Sequence, residues 1–266
     1  MFDLSFYKEK KVFVTGHTGF KGSWLCKILA NAGAEVTGYS LNSPTSPSLF
    51  EIARIKNDIH SVIGDVRDKE ILKKAFDETQ PEIVLHLAAQ PIVRDSYKDP
   101  VYTYETNVMG TVNILECVRN STSVKSFLNV TTDKVYLNKE WVWGYRENEE
   151  LDGFDPYSNS KSCSELVTHS YKNSFFADGH VAISTARAGN VIGGGGFAND
   201  RAETNAPHEA NFLKLDCSKL KNTFGWKPRW HMQECMEKTV EFSKVWLANG
   251  DVRACMDQQI KEFMGR

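Results

Sequence analysis

Lys11-Val12-Phe13-Val14-Thr15-Gly16-His17-Thr18-Gly19-Phe20-Lys21-Gly22 is the stretch that decides the fold. Its apolar start reads as a short buried strand. Three glycines follow at three-residue spacing, then a helical stretch from Ser23 to Ala32, with Gly33 placed to end it. A strand that runs into a glycine-rich turn and then a helix is how a dinucleotide pyrophosphate is cradled. Gly16 and Gly19 would let backbone approach phosphate, and Gly22 would let helix and sheet pack closely. The spacing is G-x-x-G-x-x-G, not the G-x-G-x-x-G of two-domain dehydrogenases. A plain strand-to-helix turn is the bland alternative, and the strand-turn-helix context weighs against it.

Working outward, strands are expected at Glu35 to Tyr39, Ile59 to Ile63, Ile83 to Leu87, Ser126 to Val130 and Val181 to Ala186. Helices are expected at Asp65 to Glu78, Tyr102 to Arg119 and Pro156 to Phe176, with apolar residues at helical spacing in the second. Strand and helix therefore alternate to about residue 190, which predicts an α/β fold, a doubly wound parallel sheet. Ligands in such sheets bind beyond the carboxyl ends of the strands. Gly16, Asp65, Ala88-Ala89-Gln90, Thr132-Asp133-Lys134, Arg187 and Asn190 all fall there. The expected division is a dinucleotide-binding domain over 1–192 and a reduced C-terminal lobe over 193–266. In that lobe Phe197 to Asn211 is polar without periodicity, and helices are expected at Leu215 to Phe224 and Met232 to Leu247.

Tyr157-Ser158-Asn159-Ser160-Lys161 places a phenol and an ammonium at i and i+4 on one helix face. A phenol, with a pKa of about 10, is a poor base at neutral pH, and a neighbouring cation favours its ionised form. An exposed helix face is the bland reading, and Pro156 as a first-turn proline lowers it. Asp133 beside Lys134 is either a turn aspartate with a solvated lysine or a general acid. The second role needs burial to raise a carboxyl whose ordinary pKa is about 3.9. Asp65 either caps the next helix or faces the adenine. Tyr39-Ser40 lacks the acid that grips a ribose 2′-hydroxyl, so NADP is not excluded. Arg94, Arg187 and Arg201 are candidate phosphate ligands by guanidinium geometry.

With 32 basic and 34 acidic residues the net charge is -2, which gives no global pull toward nucleic acid or membrane. No apolar run approaches a membrane span, and Met1 to Lys11 has no signal-peptide core. The six cysteines include no C-x-x-C pair and are expected to be reduced thiols in a cytoplasmic protein, with no metal site.

The chain resembles the extended short-chain dehydrogenase/reductase superfamily, and within it the CDP-glucose 4,6-dehydratases. The resemblance rests on the glycine turn, His86-Leu87-Ala88-Ala89-Gln90-Pro91, Tyr104-Glu105-Thr106-Asn107-Val108-Met109-Gly110-Thr111 and Thr132-Asp133-Lys134-Val135-Tyr136. It continues through Trp143 to Asn148, Asp155-Pro156-Tyr157-Ser158-Asn159-Ser160-Lys161 and Ala186 to Gly195, and resumes at His208-Glu209-Ala210, Leu213 to Lys219 and Gly225-Trp226. A glutamate stands where this chain has Lys134 in the dTDP-glucose type.

The resemblance implies conversion of CDP-glucose to CDP-4-keto-6-deoxyglucose with bound NAD. Tyr157 would accept the C4 hydroxyl proton, Lys161 would lower its pKa, Thr132 would bond near O4 and Asp133 would protonate the departing C6 hydroxyl. Lys134, if neutral, is the candidate C5 base. NAD would lie against Gly16, His17, Thr18, Gly19, Phe20, Gly22, Asp65, Val66, Ala88, Ala89, Gln90, Tyr157 and Lys161. The nucleotide sugar would meet Arg94, Asn107, Arg187 and Asn190, and the expected assembly is a homo-oligomer. One departure stands out. The family holds several tens of residues between the positions of Arg201 and Ala202 to Ala206, much of its substrate lobe, and this chain lacks them. A nucleotide-sugar epimerase or reductase, and an NAD-binding paralogue without turnover, remain the rival readings.

Overall fold

The computed structural model describes residues 3–196 and 213–265. Six strands form one sheet: β1 (Lys11–Thr15), β2 (Glu35–Ser40), β3 (His60–Ile63), β4 (Ile83–His86), β5 (Ser126–Val130) and β6 (Ala182–Ala186). They lie in the order β3-β2-β1-β4-β5-β6, and every neighbouring pair is parallel. The order reverses between β1 and β4, so a crevice opens beyond the carboxyl ends of those two strands. The register sets Thr15, the last residue of β1, beside Tyr39 and His86.

Around the sheet run α1 (Phe20–Asn31), α2 (Leu49–Ile52), α3 (Lys69–Thr79), α4 (Val93–Lys98), α5 (Pro100–Tyr104), α6 (Gly110–Arg119), α7 (Pro156–Phe175), α8 (Ser218–Phe224), α9 (Met232–Leu247) and α10 (Val252–Met264). The alternation of side chains along each strand makes two cores. Phe13, Val84, Phe127 and Ile183 point to one face and pack with Leu72 and Phe76 of α3 and Ile114 and Leu115 of α6. Val12, Val14, Ile83 and Leu85 point to the other and pack with Leu29 of α1, Phe242 of α9 and Met256 of α10. The result is a doubly wound α/β fold of three layers.

Local chemistry starts the helices. Asp68 accepts from Ile71 N ahead of α3, Asp155 accepts from Ser158 N with Pro156 in the first turn of α7, and Asp251 accepts from Ala254 N ahead of α10. The helix expected from Asp65 therefore begins at Lys69, because Asp68 is its cap and Asp65 is held by Arg67. The helix expected from Tyr102 starts at Pro100 and passes through a π turn, Glu105–Met109. Helices α2, α4 and α10 are additions to the expected set. The last two helices lie on the α1 face: Lys27 of α1 pairs with Asp58 and Asp257, both at 3.2 Å, and Arg253 also holds Asp58. Arg201, the polar stretch Phe197 to Asn211 and the expected site of the missing segment lie outside the described residues. Among the described residues no helix is long and apolar enough to cross a membrane.

Candidate active site

The turn after β1 is built by close backbone approach. Gly16 has φ +79°, and a Cβ there would lie 2.8 Å from Ala88 N. A Cβ at Gly22 would lie 2.1 Å from Gly16 O. Gly19 N donates to Gly16 O at 3.2 Å, and Gly19 caps α1 without a side chain. The first amides of this 12-residue helix are thus left for a ligand in the cleft that Gly19 to Gly22 line.

That cleft holds about 500 Å³ and runs from Ser40, Asp65 and Val66 past Ala88, Ala89 and Gln90 to Tyr157 and Lys161. It gathers Gly16, Thr18, Gly19, Phe20 and Gly22 with these residues, from four strand ends and two helices. Thr18 Oγ1 donates to Leu41 O (2.9 Å) and meets Ser40 Oγ (3.0 Å), which fixes the loop after β2. Burial would push the Asp65 carboxyl up, but hydrogen bonds and the charge of Arg67 hold it below the usual range. His17 does not reach the cleft. It is buried, its Nε2 meets Ser61 Oγ at 2.7 Å, and burial pulls its pKa down to about 4. The turn directs its ring under Gly38, where a Cβ would lie 2.3 Å from the imidazole.

At the other end, α7 carries Tyr157 and Lys161. Lys161 is 3% exposed and donates to Val130 O at 3.2 Å. Burial, then the charge of Lys21, lowers its pKa to about 8. Burial raises the Tyr157 phenol, and a hydrogen bond with Thr132 opposes that rise; the expected lowering by Lys161 is not among its causes. Asp133 is half-buried, with Thr132 Oγ1 donating to its Oδ1 at 3.1 Å. Burial raises its carboxyl, against the Thr132 bond and the charge of Lys134. Lys134 itself lines a neighbouring cavity of about 450 Å³ with Tyr136, Asp152, Asp155, Ser158 and Asn159.

The expected substrate residues do not converge. Arg187 gives Nε and Nη2 to Glu165 at 3.0 and 3.1 Å and Nη1 to Tyr136 Oη and Glu147 O at 2.9 and 3.0 Å. Its fork is used up in tying β6 to α7. Asn107 is buried: its Oδ1 accepts from Gln90 N at 2.8 Å, and its Nδ2 donates to Gln90 O and Ser160 Oγ at 3.1 and 2.8 Å. It shapes the cleft wall from behind. Arg94 and Asn190 are not among the lining residues of the cleft. Sequence reasoning misses Lys21. It lines the cleft, and its charge bears on both Asp133 and Lys161. A cation between two glycines of a phosphate turn is the signal that could have found it. Among the described residues, no group of three His, Cys, Asp or Glu side chains could hold a metal ion.

Residues 13–191 match the model of the GDP-mannose 4,6 dehydratase family. The chain belongs to that family. This family member is 40% identical over 354 aligned residues to the CDP-glucose 4,6-dehydratase of Salmonella typhimurium, covering 99% of each chain. The alignment is longer than the 266 residues here, so stretches of that relative have no counterpart in this dehydratase-family chain. It is also similar to the UDP-glucose 4-epimerase of Thermus thermophilus, solved with NAD: 28% identity, TM-score 0.53, 62% of this chain and 51% of that one covered. The UDP-glucose 4-epimerase of Brucella ovis, likewise solved with NAD, shares the fold at 24% identity and TM-score 0.58, over 68% of this chain and 52% of that one. The chain spans about half the length of these two solved structures.

Proposed function

We propose that this chain performs the dehydration of CDP-glucose to CDP-4-keto-6-deoxyglucose, with NAD held in the cleft. One observation carries the reading: end-to-end identity of 40% to a CDP-glucose 4,6-dehydratase. The same chain gathers Thr132, Asp133, Tyr157 and Lys161 where β5 ends and α7 begins.

The cleft fits a dinucleotide. Two positions admit no Cβ, and a helix start without a side-chain cap offers its amides to the pyrophosphate. Asp65 and Val66 would stand at the adenine end, Ala88 to Gln90 along the middle, and Tyr157 and Lys161 at the nicotinamide end. When bound, NAD supplies a hydride acceptor that later returns the hydride, so the cycle is redox-neutral. The chain's own residues move the protons. Tyr157 takes the proton of the C4 hydroxyl, with the Thr132 hydroxyl within hydrogen-bond reach of the phenol. Asp133, kept protonated to higher pH by burial, gives its proton to the C6 hydroxyl, which leaves as water while the C5 proton, acidified by the C4 ketone, passes to a base for which Lys134 is the candidate. Replacement of Asp133 by Asn should leave C4 oxidation and stall water loss, so that reduced nicotinamide absorbance builds up in single turnover. Dehydration at the parent rate would remove Asp133 from the role.

A second reading is favoured by the relative's unmatched stretches: a chain that keeps the cofactor site but grips the nucleotide weakly. We place the protein in the cytoplasm and read it as a homo-oligomer. Exposed Val101, Tyr104 and Met109, on α5 and the π turn, and Leu166 on the packed α7 support self-association.

A further inference from the structure

Thr15 and His86 end adjacent strands, side by side in register, and both are buried. The Thr15 hydroxyl oxygen accepts from Ala88 N at 3.1 Å and shares Leu87 N, also at 3.1 Å, with Thr15 O at 3.2 Å. Its acceptor capacity is thereby used, so its own hydrogen goes to His86 Nδ1 at 2.7 Å. Nδ1 is then bare and the ring hydrogen sits on Nε2, facing Thr111 Oγ1 at 3.3 Å. The Thr111 hydroxyl in turn donates to Asn107 O at 2.7 Å. One direction of donation satisfies the whole row.

We propose that His86 is a positioning residue for the cofactor cleft, acting as the neutral imidazole that receives the Thr15 hydrogen and so aims the Thr15 oxygen at the Leu87 and Ala88 amides. Those two residues form the cleft wall that faces Gly16, and the gap there is too tight for a Cβ. The angle of this turn sets how far the wall stands from the phosphate turn. An imidazole with hydrogen on Nδ1 would present a donor to an oxygen already filled, and the Ala88 amide would lose its partner. The inference rests on the NAD reading above.

Asparagine and glutamine separate this role from ring packing. An asparagine carboxamide can put its oxygen where Nδ1 lies and still accept from Thr15. A glutamine reaches the Nε2 position and keeps the donor to Thr111 instead. His86→Asn and His86→Gln should cost similar stability in urea yet differ in NAD affinity by calorimetry. We expect His86→Asn to stay within about threefold of the parent, and His86→Gln and Thr15→Val to bind at least about tenfold more weakly. Glutamine binding NAD as well as asparagine, or both binding as the parent does, overturns the proposal. Should the variants fail to fold, the imidazole nitrogen spectrum of the unaltered chain decides: bare Nδ1 with protonated Nε2 is expected, and hydrogen on Nδ1 overturns it. A parent that binds no NAD sinks the cofactor reading, while the nitrogen spectrum still settles the state of His86.

Discussion

Gly19 and Gly22 sit three residues apart in one turn and are constrained by different things. A side chain at Gly22 strikes backbone on both sides, Gly16 O at 2.1 Å and His17 Cα at 2.7 Å. Gly22→Ala should therefore cost about 1–3 kcal/mol of stability, as overpacking does, and lose NAD binding as well. Gly19 has φ -77°, and its nearest neighbour to a Cβ is Gly16 O at 3.4 Å. Gly19→Val should keep stability to within about 1 kcal/mol while NAD binding weakens in calorimetric titration. Unchanged binding in that variant would take the turn out of the site. These glycines were legible in the sequence because the motif fixes their spacing. His17 and Arg187 were legible only as polar groups near strand ends, and Asn107 only as one within an expected helix. Whether such a group faces a ligand or is consumed depends on partners from distant elements: Ser61 for His17, Ser160 for Asn107 and Glu165 for Arg187.

Secondary elements with a strong local signal were readable. The strands are short apolar runs, and α9 spans Met232–Leu247 as its apolar spacing predicts. The π turn, Glu105–Met109, has no sequence signature and follows from packing against α7. For α10, Asp251 as cap and Gly265 past the end were present as signals, yet its burial against the sheet is a tertiary fact. Phe242 of α9 is 1% exposed, packs on Trp24 of α1 and fills the space a side chain at Gly194 would need. Phe242→Ala should cost about 3–5 kcal/mol in urea unfolding; a cost below about 1 kcal/mol would show that α9 is not part of the core. Two buried histidines, His86 at the end of β4 and His17 in the turn after β1, have lowered pKa values. Burial lowers His17 to about 4, and burial with the charge of Lys161 lowers His86 to about 3. A group with a depressed folded pKa favours the folded state above its unfolded pKa, about 6.5 for histidine. That contribution is lost as pH falls toward the folded values. Between pH 6 and 5 stability should drop by up to about 1.4 kcal/mol per histidine per pH unit, and His86→Asn should remove one of the two contributions. Stability flat across that interval would contradict the buried neutral state.

For the whole molecule the question is what remains when much of a relative's length has no counterpart. Six parallel strands form one sheet among the described residues, and α9 and α10 pack on one face of it. Large apolar side chains stay exposed beyond that closure: Phe154 at 78%, Phe224 at 77% and Leu247 at 72%. Such surface favours self-association. Loss of two or three charge-assisted hydrogen bonds to the nucleotide, at about 1.5–3 kcal/mol each, would weaken CDP-glucose binding by on the order of a thousandfold. Little turnover is then expected at ordinary substrate levels, even though the proposed proton-moving groups Tyr157 and Asp133 are present. The most direct measurement is 4-keto sugar formation by the purified 266-residue chain with NAD, as CDP-glucose is raised step by step. Product is expected to rise almost linearly with substrate, without net reduction of NAD, and to disappear in Tyr157→Phe. Saturated, rapid turnover at low CDP-glucose would contradict the weak grip. No product at any concentration, with NAD bound, would contradict the assignment of the site.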